Sequence, residues 1–226
     1  MTAFPCSPGQ ERVWLLDRLE PGSPAYNVPA ALRLTGPVDV ERLRSAFEVV
    51  VRRHAALRTV FREHDGVPVQ VVRDEPVFGF ACRPVVAGAD VLGEVDAEIR
   101  VPFDLAEGPL LRVLLLREAA ESHVLVVTVH HAVSDGWSMS LLLDELGLAY
   151  GGAELPDLPL QYADFVAWQR EYLDGPEGVE LLEQVVAGLR DVPELITLPT
   201  DRPRPAVATA AGGLHEFDFP ADLTSA

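Results

Sequence analysis

Two rhythms of apolar and polar positions run along this chain. Leu43, Phe47, Val50 and His54 fall at spacings of three and four, which predicts an amphipathic helix capped by Asp39. Ser7 to Leu19 reads as a shorter helix, with Ser7 as N-cap and Pro8 at the first helical position. Val28 to Leu34 reads as a strand. Leu57 to Arg62 and Val67 to Val72 predict two strands joined through Glu63-His64-Asp65-Gly66, a hairpin. Phe78 to Val85 is a further strand and Ala89 to Val101 a helix. Leu111 to Leu116 and His123 to Val129 are β-rich runs around a polar turn, an antiparallel pair by length. Helices are predicted at Ser138–Tyr150, Tyr162–Leu173 and Val179–Leu189. The prolines from Pro199 to Pro205 exclude a helix interior there, and a short β-like run follows at Leu214–Phe219. Asp222 is placed to cap a helix that has no room before Ala226, so this end reads as cut. The order predicts an α/β, or α+β sandwich, fold: a mixed, mostly antiparallel sheet with flanking helices.

Charge narrows the partners. Lys+Arg 18 against Asp+Glu 35 leaves −17 over 226 residues, and every basic residue is arginine. Such a chain repels nucleic acid and anionic lipid, so neither is expected as a partner. The longest apolar runs fall short of a membrane span. Cys6 and Cys82 make no disulfide framework, and without a C-x-x-C or a signal peptide the expected compartment is the reducing cytoplasm.

Chemistry concentrates at Val129-His130-His131-Ala132-Val133-Ser134-Asp135-Gly136-Trp137-Ser138. A β-rich run delivers two histidines to a loop, and Asp-Gly then opens a helix. Adjacent strand residues point to opposite faces, so one histidine turns to the core and the other can face a cleft. Divergent neighbours also make a poor metal pair, and no metal site is expected. A histidine is a competent base near neutral pH, and a glycine lets backbone N–H approach a reacting oxygen. No G-x-S-x-G and no cysteine beside a histidine supports an acyl-enzyme. The pattern points to direct attack on an acyl group by a nucleophile that the substrate brings. His54 reads as a helix-end residue, His64 as a turn residue, and His123 as solvent-facing at a strand start. Trp14, Trp137 and Trp168 read as core anchors rather than stacking platforms.

His130-His131-Ala132-Val133-Ser134-Asp135-Gly136 resembles the HHxxxDG motif of condensation domains in nonribosomal peptide synthetases, which chloramphenicol-acetyltransferase-like enzymes share. Other segments narrow the resemblance. Ser7 to Trp14 is similar to the family's S-x-x-Q-x-R-x-W, and Pro24-Ala25-Tyr26-Asn27 to the segment after it. Arg53 to Phe61 resembles RHExLRTxF, with Ala55 in place of Glu. Tyr162-Ala163-Asp164-Phe165 with Trp168 resembles YxDFxxW, and Leu198 to Pro205 a stretch that crosses toward a second lobe.

The resemblance implies the N-terminal half of a condensation domain. Residues 1–190 would be a chloramphenicol-acetyltransferase-like lobe, and 191–226 the crossover toward a C-terminal lobe. Donor and acceptor carrier proteins would bring substrates on 4′-phosphopantetheine arms, with an adenylation domain adjacent and no bound cofactor. By the same resemblance His131 is the catalytic histidine, taking or positioning the amine's proton, and Gly136 offers its amide to the oxyanion. His130 is structural, Asp135 fixes the loop with Arg58 as partner for its charge, and Trp137 and Ser138 are substrate-binding candidates. Arg202 and Arg204 are candidates for carrier docking. Two other readings stay open: a stand-alone CoA-dependent acyltransferase of the same superfamily, and a non-catalytic carrier-docking half-domain.

Overall fold

A computed structural model of the chain describes residues 2–86, 89–193, 199–203, 205–206, 215 and 217–224. It divides into two compact units, Met1–Val185 and Val186–Ala226.

The first unit opens with a short strand, β1 (Thr2–Pro5), that the periodicity did not reveal, because four residues carry too little alternation. Helix α1 (Pro8–Leu19) starts on a capping box in which Ser7 and Gln10 satisfy each other's amides. Next come β2 (Asn27–Thr35), α2 (Val40–Arg53) on its Asp39 cap, and a single 3-10 turn at Ala55–Arg58. Strands β3 (Thr59–His64) and β4 (Val67–Val72) form the expected hairpin. Asp65 and Gly66, at φ 51° and 81°, supply the left-handed pair that a tight two-residue turn requires. Strand β5 (Gly79–Pro84), helix α3 (Val91–Ile99), β6 (Leu111–Ala119), β7 (Ser122–His130) and α4 (Gly136–Gly151) lead to α5 (Tyr162–Asp174) and α6 (Pro176–Leu189).

Two sheets result, ordered β1-β4-β3 and β2-β7-β6-β5. All pairs are antiparallel except β5 with β6. Strands β6 and β7 are apolar on both faces because both faces are covered. Leu111, Val113, Leu115, Leu125, Val127 and Val129 pack with Phe47 and Val50 of α2 and Leu142 and Leu146 of α4. On the other face Leu114, Leu116, Val124 and Val126 meet Val91, Val95 and Ile99 of α3. A third cluster, with Cys6, Val13, Phe61, Phe103, Leu110 and Ala132, sits where β7 ends.

Some expectations are corrected. His123 is buried at 3% exposure rather than facing solvent, because both neighbours of β7 extend past it: it pairs with Leu34 on β2 and Arg117 on β6. Trp137 and Trp168 are 85% and 58% exposed, so neither anchors this core, whereas Trp14 packs against the third cluster.

Of the second unit, Thr200 donates from its hydroxyl to the Arg202 carbonyl, and Ala221–Thr224 forms one helical turn. Phe217 to Phe219 lie outside any strand, while Leu214 and Arg204 fall outside the described residues.

Candidate active site

The site begins where β7 stops. Val133 N–H bonds back to the His130 carbonyl at 3.0 Å, closing a turn over residues 130–133. The last strand residue, His130, turns inward and is almost wholly buried. Its Nδ1 accepts from the Ala132 amide at 3.1 Å, and its ring meets Phe103 edge-on at 5.9 Å. Burial, and after it the nearby His131, push its pKa from 6.5 down to about 4. His130 is therefore neutral near pH 7.

His131 faces the other way. It is exposed, its amide donates to the Tyr26 carbonyl at 2.8 Å, and its ring stacks on Tyr26 at 6.3 Å. Its Nδ1 lies 2.6 Å from the Ser134 carbonyl oxygen. A carbonyl only accepts, so Nδ1 carries a proton, and in the neutral ring the lone pair sits on Nε2. This is the tautomer a general base needs.

His131 lines a cleft of about 390 Å³. Gln10 and Val13 of α1, His54, Leu57, Leu142 and Tyr162 line it as well. Tyr162 donates to the Ser7 hydroxyl at 3.0 Å, and Arg170 binds the Cys6 carbonyl and Glu11, so α5 braces the start of α1.

Asp135 is the N-cap of α4. It accepts from the Ser138 amide at 2.7 Å and the Ser138 hydroxyl at 2.6 Å, and these bonds hold its carboxyl below the usual carboxylate range. The expected Arg58 partnership does not form. Arg58 instead donates to the carbonyls of Val51, Arg52 and Arg73, tying the end of α2 to the exit of β4. The physical reason is that each group is already spent: the carboxylate on a helix start, the guanidinium on bare carbonyls. Gly136 is the first residue of α4, where amides lack an intrahelical acceptor, and a Cβ added there would meet nothing within 4 Å. Ser138 lines the cleft with its hydroxyl given to Asp135, whereas neither Gly136 nor Trp137 is among the lining residues.

Two features escaped the sequence reading. Glu145, at 7% exposure, binds Arg53 Nε at 3.1 Å and His54 Nε2 at 2.6 Å. Its signal was visible: a lone carboxylate in the apolar register of Leu141, Leu142 and Ala149. The Gln161 side chain then accepts from the Ala55 amide and donates to the Arg53 carbonyl. The other feature, Gln10, reaches across to the Ala132 carbonyl at 3.3 Å, a contact of 122 residues' separation with no local signature.

The family profile "Condensation domain" matches residues 1–226. The chain is 46% identical over 234 residues to phosphinothricin tripeptide synthetase PhsC of Streptomyces viridochromogenes, covering 98% of this chain and 22% of the relative. It is 41% identical over 239 residues to the isonitrile lipopeptide synthase of Mycobacterium tuberculosis, covering 98% of this chain and 9% of the relative. Among solved structures it is similar to the teicoplanin X-domain in complex with OxyB. There the TM-score is 0.80 at 29% identity, over 92% of this chain and 48% of the other. The starter condensation domain of rhizomide synthetase RzmA shares the fold, with TM-score 0.76, 20% identity, and coverage of 86% and 49%. The chain thus spans about half the length of these solved structures.

Proposed function

The chain belongs to the condensation-domain family of nonribosomal peptide synthetases, and from that premise we propose that it forms the His131-bearing part of a site that makes amide bonds. An acceptor amine attacks the carbonyl carbon of a donor thioester; the new C–N bond replaces the C–S bond. His131 Nε2 takes the amine's proton and returns it to the departing thiolate, so charge and protons balance. Gly136 N–H receives the oxyanion of the tetrahedral intermediate. Asp135 holds the loop through α4, and Ser138 completes that cap. Donor and acceptor arrive on the 4′-phosphopantetheine arms of carrier proteins, an adenylation domain loads the acceptor, and residues 191–226 lead toward a second lobe.

The observation that supports this reading is the Nδ1 bond to the Ser134 carbonyl on a histidine that lines the cleft, so that in the neutral ring the lone pair sits on Nε2. The test is His131→Ala in a complete synthetase module with loaded carriers, with amide product measured by mass spectrometry. The rate should fall by about 10²–10⁴-fold, the usual worth of general acid–base catalysis. An unchanged rate would overturn the reading.

A second reading, a docking half-domain without catalysis, draws support from the likeness to the X-domain, which was solved with a bound protein, OxyB. It requires His131→Ala to be silent in the same assay while carrier binding persists.

A further inference from the structure

Gln10 has more hydrogen bonds than a helix cap needs. It is 3% exposed, and its own amide donates to the Ser7 hydroxyl at 3.1 Å while its Oε1 accepts from the Ser7 amide at 2.9 Å. Those two bonds complete the capping box, and a glutamate in this position would do the same. The remaining donor, Nε2, is surplus to the cap. It points at the carbonyl of Ala132, the residue after His131.

Ala132 is 5% exposed, and both polar atoms of its backbone are spoken for: its N–H by His130 Nδ1, its carbonyl by Gln10. The same turn ends in the His131 Nδ1 bond to Ser134. Without Gln10 the Ala132 carbonyl would be a buried acceptor short of a donor. The cheapest relief is to rotate the 132–134 peptides toward water, which carries the Ser134 carbonyl away from His131 Nδ1. The imidazole then loses the bond that selects its tautomer.

We propose that Gln10 is a positioning residue for His131: its side-chain amide clamps the loop and thereby fixes which imidazole nitrogen carries the proton. Helix α1 is independently braced by the Tyr162 bond to Ser7 and by Arg170 on Cys6 and Glu11, so it is a fixed post for this clamp. The inference rests on the proposed role of His131 only for its consequence in catalysis; the tautomer is a property of this chain alone.

The discriminating variant is Gln10→Glu, compared with Gln10→Ala. At pH 8 the glutamate keeps the capping acceptor and lacks the donor; the alanine loses both. Histidine side-chain ¹⁵N spectra of the chain should show His131 of the wild type locked with Nδ1 protonated. Both variants should melt below wild type, because each leaves the Ala132 carbonyl without its donor, and Gln10→Glu, which keeps the cap, should show averaged Nδ1 and Nε2 shifts for His131. In a complete module its kcat should fall about ten-fold or more with KM little changed, as expected for a misplaced reacting group. A wild-type-like tautomer in Gln10→Glu would overturn the proposal, as would a rise in KM alone. A further measurement needs no variant: the Gln10 side-chain amide of the wild type should exchange slowly and show nuclear Overhauser contacts to Ala132. A freely exchanging amide without those contacts would equally overturn it. If amide synthesis fails in every protein while the tautomer still responds to Gln10, the function is wrong and the clamp stands.

Discussion

At the scale of single residues, two neighbouring imidazoles end up with opposite chemistry. His130 closes a turn inside apolar surroundings, with Phe103 against its ring, while His131 lines the cleft with its Nδ1 on the Ser134 carbonyl. The strand's two-residue period made it legible that the pair must split; burial, set by tertiary packing, decides which one stays neutral. The folded pKa of His130, about 4, lies below the ordinary 6.5. Between these values the unfolded chain binds a proton that the folded chain refuses. Stability therefore rises with pH across this window and is lost as pH falls from 6.5 toward 4, by about 3 kcal/mol at full effect. His130→Asn keeps an acceptor for the Ala132 amide and removes the titration. Urea unfolding at pH 7, 5.5 and 4.5 should show a shallower decline for this variant than for wild type. Parallel declines would mean that His130 is not the group responsible. Asp135 acts in a lower window: its stabilised carboxylate contributes above the ordinary value of 3.8 and is lost only below it.

At the scale of elements, α4 does two jobs. Its N-cap sets the loop that carries His131, and its buried Glu145 holds Arg53 and His54 at the end of α2. Their side chains are 9%, 12% and 20% exposed, so solvent screens this trio little. Glu145→Ala leaves a cation under cover without its partner, and should destabilise the chain by about 3–5 kcal/mol. Chemical denaturation checks this, and a cost below about 1 kcal/mol would show that the trio is not what joins the two helices. Most elements were readable because long helices and the β6–β7 hairpin carry strong periodicity. The Arg58–Asp135 pairing failed for a reason that sequence does not display. Complementary charge says two groups attract, but not that α4 and the carbonyls around α2 already use them. Glu145 was passed over for the converse reason. In a helix register it looked like one polar interruption, and only the packing of α4 on α2 turned it into a junction. Strand β1 and the Gln10 bridge depend on partners 65 and 122 residues away, beyond the reach of any local pattern.

At the scale of the whole molecule, the cleft belongs to the first of the two units. Among the described residues its lining runs from Gly9 to Tyr162, and the chain spans about half of the solved structures that share its fold. A further sign lies along α5. Tyr162, Phe165, Trp168 and Tyr172 follow one another with ring centroids 5.6–5.7 Å apart, and each is at least 39% exposed. Leu173 beside them and Val179, Leu181 and Leu182 of α6 are open as well. Contiguous apolar surface of this kind is uncommon on proteins that work as isolated monomers. Catalysis by proximity requires both reactants to be held at once, and effective molarity falls steeply when either is left unheld. The 226-residue chain alone should therefore fold, with a cooperative melt, yet form no amide above background from carrier-bound thioesters. It should also bind a hydrophobic dye such as ANS in its native state. The contrast with a complete module is the measurement: turnover there and none here places the requirement in the rest of the site. Robust turnover by this chain alone would mean that His131 and its loop suffice.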